Sequence, residues 1–537
     1  MAQVTLYHWE PNANSGKPML ALMEKGVPFD SHYIDMLNFD QHKPEYLAIN
    51  PQGTIPAMTH RGPWGERMLV ESTAIMEYVN EQFNGPALMP SDPQARWRIR
   101  WWMKFMDQWL APSFSMFGWK YFVGPNSLAT HGKEKIEEQI SRIPLPERQV
   151  AWRKAVFGLF SDEEMAESSR RIEHGIRMLE GELGKREWLA SDDYSLADVN
   201  GFNLAYAMPL SQPHLANDDL TPNIMRWLRA IYRRPATQAC WKLGRTRMAS
   251  RVEILEQDYI SRPAKSTTAL RAECAEMTSM ILYHGEPNGP SLAVLAALAE
   301  TGVAAECRRI DLLKGERHTL PGVSEGVARD MGVEGEGPVL VIDGEAMTES
   351  VFIAQFLDEC GANTLQPKDA YAHWQMLMWC RRVTERCAPA AAFLGCKATA
   401  HGPLAALDDA AFAALSGHIA SEDLRARWAM IRDGNFPEAQ VADSIRHVTG
   451  AVAMVEDQLA DGREWLMGEL TIADFETFAW LVGLPILLPE AFAGKDKALA
   501  WMDRVRARPS VQAALARAGT AAPEQSWAPG PEINRWG

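Results

Sequence analysis

The amino-acid sequence predicts an α/β plus all-α protein built as two copies of one unit, each a small strand-helix-strand domain followed by a helical domain. Three observations carry that expectation. Leu6-Tyr7-His8 returns 276 residues later as Leu282-Tyr283-His284, and His42, Trp152 and Asp198 return at the same spacing as His318, Trp428 and Asp474. Each copy opens on a short apolar strand and reaches a Glu-Ser pair before an apolar helical run, Glu71-Ser72 in the first and Glu349-Ser350 in the second. From Asp92 onward the pattern turns helical and aromatic, through Trp97, Trp101, Trp102, Phe105 and Trp109.

Taken in order, Val4 to Tyr7 reads as a strand, Pro11 to Ser15 as a turn, and Met19, Leu22 and Met23 as the inner face of a first helix. Phe29 to Ile34 is a second strand. Pro51 and Gly53 punctuate a turn, and Ile55-Pro56-Ala57-Met58 reads as a strand whose first residues cannot all donate to a ladder. A cis Ile55–Pro56 bond would turn the Ile55 amide and carbonyl out of the sheet, where an extended peptide ligand could pair with them. Glu71-Ser72 stands at a helix start, where free amides and the positive end of the dipole favour a bound carboxylate. This order fits a thioredoxin-like domain over residues 1–86, with a helical domain over 87–258. Ser195-Leu196-Ala197-Asp198 has the form of a capping box, repeated as Thr471-Ile472-Ala473-Asp474.

The second copy is expected as a thioredoxin-like domain at 279–362 and a helical domain at 363–519. A polar linker at 259–278 carries Ser261, Pro263, Lys265 and Ser266, and residues 520–537 read as an extended tail with Pro523, Pro529 and Pro531.

Composition bounds the function. A chain of 537 residues, 47% hydrophobic, holds enough apolar surface for more than one core. A net charge of −15 excludes a nucleic-acid surface, which needs clustered Lys and Arg. No stretch of ~20 apolar residues reads as a membrane span and no leader is evident, so a cytoplasmic protein is expected. The seven cysteines, mostly in the second half, have neither metal-site nor Cys-x-x-Cys spacing; buried reduced thiols and no metal are expected.

The Asn50-Pro51-Gln52-Gly53-Thr54-Ile55-Pro56 segment followed by Glu71-Ser72-Thr73 resembles the glutathione-binding half of the glutathione S-transferases. The resemblance implies glutathione as co-substrate, with Gln52 among the residues that bind it, the backbone beside Pro56, at Ile55, along its cysteinyl part, and Glu71 and Ser72 at its γ-glutamyl end. His42 meets the glycyl carboxylate or is an exposed loop histidine. A glutathione thiol has a pKa of ~8.5, so near neutral pH a donor must stabilise the thiolate. Ser15 and Asn14, where the first helix begins, are the catalytic candidates, and Tyr7 in the strand competes with them.

Together with Pro11-Asn12-Ala13-Asn14-Ser15, Phe39-x-x-His42, Ile143-Pro144-Leu145-Pro146-Glu147 and Trp152-Arg153-Lys154-Ala155, the same segment is similar to the bacterial β-etherases of lignin breakdown. That resemblance, over most of residues 4–245, implies displacement of a phenol from the β-carbon of an α-keto β-aryl ether. Phe114, Phe117, Trp119 and Tyr121 are the candidate aromatic-substrate residues; Trp119 and Tyr121 are expected near a loop at Gly124-Pro125.

In the second copy Ser291, Pro338, Glu349 and Ser350 stand as glutathione candidates. Asn14 becomes Pro290, and an offset of 277 maps Phe114, Trp119 and Tyr121 onto Ala391, Cys396 and Ala398, so its aromatic pocket is expected to be lost. The two halves are expected to pair within the chain as a pseudo-dimer. A different glutathione-dependent activity, dehalogenase or isomerase, and a non-catalytic aromatic-ligand binder are the competing readings.

Overall fold

The computed structural model describes residues 3–143, 146–246, 253–256, 280–320 and 336–530. The chain divides into two compact units, residues 1–273 with Gly537 and residues 274–536.

In the first unit, β1 (Val4–His8), β2 (Asp30–Tyr33), β3 (Ala57–Gly62) and β4 (Gly65–Val70) form a sheet in the order β2-β1-β3-β4. β1 and β2 are parallel, so they need a crossover, and α1 (Gly16–Glu24) supplies it. β3 and β4 form an antiparallel hairpin turning at Pro63-Trp64. α1 buries Met19, Leu20, Ala21 and Leu22, and α2 (Ser72–Gln82) buries Ile75, Met76, Tyr78 and Val79. The strand expected from Ile55 pairs only from Ala57, opposite Tyr7, because Pro56 has no N–H to give the ladder.

The helical part runs through α3 (Pro93–Phe105), α4 (Ala111–Gly118), α5 (Gly124–His131), α6 (Lys133–Ser141), α7 (Pro146–Val156), α8 (Asp162–Leu183), α9 (Leu196–Ala205) and α10 (Pro222–Tyr232). Asp92 caps α3 by accepting from the Ala95 N–H at 2.9 Å. The loop expected at Gly124-Pro125 is instead helix. Wide π turns at Met106–Leu110 and Trp119–Val123 precede Pro112 and Pro125, and a widened turn accommodates a ring that clashes with a regular preceding turn.

The second unit repeats the sheet. β5 (Met280–His284), β6 (Glu306–Arg309), β7 (Val339–Ile342) and β8 (Glu345–Met347) lie in the order β6-β5-β7-β8, with Tyr283 opposite Val339 as Tyr7 is opposite Ala57. Its principal helices are α11 (Gly289–Thr301), α12 (Ser350–Cys360), α13 (Ala370–Arg382), α14 (Ala388–Gly395), α15 (Glu422–Arg432), α16 (Glu438–Gln458), α17 (Ile472–Leu481) and α18 (Asp496–Arg506).

Both capping boxes form, and each is larger than its motif. Asp198 accepts from the Ser195 N–H and hydroxyl, and also from the Leu189 N–H and Trp227 Nε1, both at 2.8 Å. Asp474 does the same with Thr471, the Leu466 N–H at 2.9 Å and Trp501 Nε1 at 3.0 Å. Burial pushes both carboxyls up to about 6 against the pull of these donors.

The linker expected at 259–278 and the turn residues 332–335 lie outside the described residues. The tail expected from Thr520 is irregular but not loose as far as it is described: Pro523 and Trp527 are buried. Trp527 lies against Gly395 of α14, where a Cβ would come within 2.2 Å of the indole, so only glycine admits the ring there. The expectation of buried thiols holds for Cys240, Cys380, Cys387 and Cys396, whereas Cys360 is exposed and Cys307 half-buried. Among the described residues no helix is long and apolar enough to cross a membrane, and no cluster of His, Cys, Asp and Glu is placed to hold a metal.

Candidate active site

The site of the first unit gathers around the loop between the Pro44–Leu47 helical turn and β3. Asn50 and Tyr46 lock that loop: the Tyr46 hydroxyl donates to the Thr54 carbonyl at 2.5 Å, and Asn50 Nδ2 donates to the same carbonyl and to Thr54 Oγ1 at 2.8 Å. The Ile55–Pro56 peptide bond that follows is cis. Gly53, at φ +63°, has His42 Cδ2 and the Gln41 carbonyl 3.0 and 3.1 Å from where a Cβ would stand, so the turn closes against the histidine. Gln52 is exposed, and its carbonyl accepts from Arg148 Nη1 of α7 at 2.8 Å.

Ser15 is buried at the mouth of α1. Its Oγ accepts from the Trp9 N–H at 2.8 Å rather than from the amides of the first helical turn. Asn14 beside it is exposed. Tyr7 is half-buried in a cluster with Ile34, Tyr46 and Ala57, its ring 4.9 Å from His32 and 6.2 Å from Tyr46.

His42 is not an exposed loop histidine: it is 3% exposed, its ring 5.3 Å from Trp152 and 6.3 Å from Phe39. Burial, with Arg148 nearby, lowers its pKa to about 4, so it is neutral at physiological pH. Glu71 precedes α2 with φ +67° and ψ 108°, a conformation that costs a non-glycine residue ~1–3 kcal/mol and is held by its surroundings. Ser72 follows as the first residue of α2 and is buried.

The four aromatic candidates do not form one group. Phe117 and Tyr121 face each other at 6.1 Å, and Tyr121 is 57% exposed. Trp119 instead stacks edge-on to Trp152 at 5.1 Å, beside the cluster of Phe39, Ile136, Ile140 and Ile143. Phe114 is half-buried on α4. Ser15, the Gln52 to Pro56 loop, Glu71 and Ser72 thus belong to the sheet's loops and helix starts, while the aromatic residues belong to the long helical run.

In the second unit Ser291 repeats Ser15, accepting from the Gly285 N–H at 3.0 Å, and Glu349 repeats the strained backbone of Glu71 at φ +73°. The rest differs. The Ser350 hydroxyl donates to the buried Glu476 carboxylate at 3.2 Å. Pro338 follows Gly337 without a cis bond, and Glu336 two residues before it accepts from Trp428 Nε1 at 2.9 Å with His318 Nε2 at 2.9 Å from the same oxygen. Every residue of α14 is buried, in contrast to the half-exposed Phe114 and Phe117 of α4.

Sequence reasoning passed over Arg148, Trp152 as a site residue, and Glu336. Arg148 of α7 reaches the Gln52 carbonyl and Trp152 of the same helix reaches His42, contacts made across about a hundred residues of chain, and an acid in a glycine-rich turn reads as a solvated charge.

Comparison with known proteins fits this division. The model described as glutathione S-transferase, N-terminal domain, matches residues 13–82, and glutathione S-transferase, C-terminal domain, matches residues 140–235. In the second unit, residues 430–515 match a domain of unknown function, DUF7962. Protein LigF of Sphingobium sp. SYK-6 is 36% identical over 240 residues, 43% of this chain and 90% of that protein. Glutathione S-transferase F10 of Arabidopsis thaliana is 28% identical over 235 residues, 43% of this chain and 91% of that protein. The crystal structure of the β-etherase LigF from Sphingobium aligns with 34% identity and a TM-score of 0.42, covering 45% of this chain and 99% of that one. Through its first unit, this chain belongs to the glutathione S-transferase family of glutathione-using transferases.

Proposed function

We propose that the first unit binds glutathione between the Gln52 to Pro56 loop and the start of α2, and uses its thiolate to cleave β-aryl ethers of α-keto aromatics. The sulfur attacks the β-carbon, the bond from that carbon to the ether oxygen breaks, and the phenoxide leaves with the electron pair and takes a proton from water. An adjacent ketone speeds displacement at that carbon, so the protein must supply a stabilised thiolate, alignment and an apolar place for two rings. Ser15, with Asn14 at the same helix start, is the thiolate donor in this reading. Glu71 and Ser72 hold the γ-glutamyl end, and the rings of Phe114, Phe117 and Tyr121 receive the aromatic substrate, while Trp119 packs against Trp152.

The observation that carries the reading is the 36% identity to the β-etherase LigF over nearly all of that protein. The test is to incubate the full chain with glutathione and each enantiomer of a guaiacyl α-keto β-ether and follow phenol release. Stoichiometric phenol and glutathione thioether are expected. Glutathione binding with no phenol from either enantiomer would overturn the substrate class and leave a dehalogenase, an isomerase or a non-catalytic binder.

The second unit is read as a copy of the same unit, with domains at 279–362 and 363–519, that does not turn over an aryl ether. Its cleft side chains are already engaged: Ser350 by Glu476, His318 and Trp428 by Glu336, and α14 by the Trp527 region. Pairing of the two halves within one chain belongs to the same proposal. It predicts a mass of one chain, 60.0 kDa, by light scattering at all concentrations; a dimer of chains would count against it.

A further inference from the structure

Both units fasten the chain that follows their last helix to the same acid. Glu10 Oε1 accepts from the Arg245 and Thr246 N–H groups at 3.0 and 3.2 Å, and Glu286 Oε2 accepts from the Gly519 and Thr520 N–H groups at 2.9 and 3.4 Å. Beyond that shared point the two chains part. In the second unit, seven residues past Thr520, Trp527 lies buried on Gly395 of α14, with its ring 6.4 Å from the ring of Trp480. Trp480 in turn lies over Gly289, at the start of α11 and two residues before Ser291. Two indoles thus fill the way from the serine turn to α14.

The first unit keeps the glycine and replaces both rings. Gly118 ends α4, which opens Ala111-Pro112, as Gly395 ends α14, which opens Ala388-Pro389. Among the described residues nothing stands within 4 Å of a Cβ built on Gly118, whereas one on Gly395 would come 2.2 Å from the indole. Trp480, six residues past Asp474, corresponds to Leu204, six past Asp198. Leu204 is half-buried on α9 between Asn203, whose Oδ1 lies against Gly16, and Tyr206, whose hydroxyl accepts from Asn12 Nδ2 at 2.6 Å. α9 therefore runs beside the Ser15 turn. Seven residues past Thr246 stands Glu253, which opens a helical turn to Glu256 that is held on α10: the Ile254 carbonyl accepts from Arg229 Nε at 3.3 Å, and Leu255 is buried.

We propose that Gly118 is a specificity residue of the first unit, the floor of a slot between Leu204 and α4 that takes the aromatic ring of the leaving phenol. The proposal rests on the β-aryl ether reading above and adds where the second ring goes. A flat ring lies on helix backbone only where no Cβ stands, and Trp527 on Gly395 shows such a ring in place. Gly118 has φ −58°, an ordinary helical value, so its backbone does not call for glycine, and glycine weakens a helix relative to alanine. A contact made on its bare face supplies the reason. Phe114, four residues earlier, shares that face of α4 and borders the ring.

The experiment compares two substrates on the full chain: a guaiacyl α-keto β-ether, whose leaving group carries a ring, and phenacyl chloride, whose displacement by the same thiolate releases chloride. Gly118→Val should lower kcat/KM for the ether about tenfold or more, the scale of overfilling an apolar contact, and leave phenacyl chloride as in wild type. Gly118→Ala, the better helix former, should keep or raise the melting temperature and still weaken the ether, which separates the slot from folding. Equal losses on both substrates, or no loss on the ether, would overturn the proposal. Dissociation constants for the ether without glutathione, read by tryptophan fluorescence, give the same comparison without turnover. If wild type binds the ether about tenfold more tightly than Gly118→Val yet releases no phenol, the slot stands and the etherase reading fails. If wild type neither binds nor cleaves the ether, both fall.

Discussion

Removing the Asp198 carboxylate should destabilise the first unit by several kcal/mol while leaving every surface intact. Asp198 is fully buried and accepts four bonds: the Leu189 N–H and Trp227 Nε1 on one oxygen, the Ser195 N–H and hydroxyl on the other. Asp198→Ala leaves two backbone N–H groups and the N–H of a fully buried tryptophan without an acceptor. Each such orphan costs ~1–3 kcal/mol, so about 4 kcal/mol is a conservative total even if water enters the space left behind. For a unit of this size that corresponds to ~8–16 °C in Tm. Scanning calorimetry of the full chain with Asp198→Ala and, separately, Asp474→Ala should show a different transition lowered in each case. The same carboxyls carry a pH signature. Both are pushed up to about 6 in the folded state against ~3.9 unfolded, so the folded state holds the proton more tightly and stability from this source falls as pH rises from about 4 to 6. Asp198→Asn cannot titrate and should lack that slope. A loss below 1 kcal/mol for Asp198→Ala would refute the argument from unsatisfied donors.

Three further outcomes are expected. Ser15→Ala should lower kcat about a hundredfold, the scale of one lost donor to a developing anion, whereas Tyr7→Phe, in its packed cluster, should change it little; the reverse order in steady-state kinetics would reassign the thiolate donor. Glu71→Ala should raise KM for glutathione and Glu349→Ala should not, so equal losses from the two changes would mean two working sites. Trp527→Ala should destabilise the second unit by ~3–5 kcal/mol and let an aromatic fluorescent dye bind where wild type binds none; an unchanged melting transition with no dye bound would mean the indole is peripheral.

Much of this was legible because the repeat is written in residues whose roles are local. A strand of alternating burial, a Pro-Gly turn and a Glu-Ser helix start need few distant partners, and the succession of elements in the first sheet domain followed from them. What could not be read depended on distant partners. His42 stands in a polar turn, Asp40-Gln41-His42, and is buried with Trp152, 110 positions on, and Phe39 and the Gly53 turn packed against it. Gly124-Pro125 looks like a break, yet the π turn before it lets the helix continue. The motif predicted Asp198 as a cap, but Trp227 and Leu189 come from other segments and carry half of its bonds. Trp527 lies in a stretch with no period, and its burial is set by Gly395 lacking a Cβ.

The contrast between the units follows from one physical requirement. Both keep the parts that shape the backbone around the cleft: the Ser15 and Ser291 hydroxyls under the N–H groups of Trp9 and Gly285, the left-handed Glu71 and Glu349, and the Asp198 and Asp474 boxes. A cleft of that shape presents N–H donors and an apolar helix face, and neither is stable when buried and unmatched: donors need acceptors, and voids cost about 24 cal/mol per Å³. In the first unit the proposed function assigns the match to the ligand, whose rings would meet α4. In the second unit Glu336 accepts from Trp428 Nε1 and Trp527 lies against Gly395 of α14. The two segments are joined in space, since the Glu336 N–H is bound to the carbonyl of Pro529, two residues past Trp527. Without Glu336 the indole N–H of Trp428 would lose its acceptor, and without Trp527 the face of α14 at Gly395 would lose the ring that covers it.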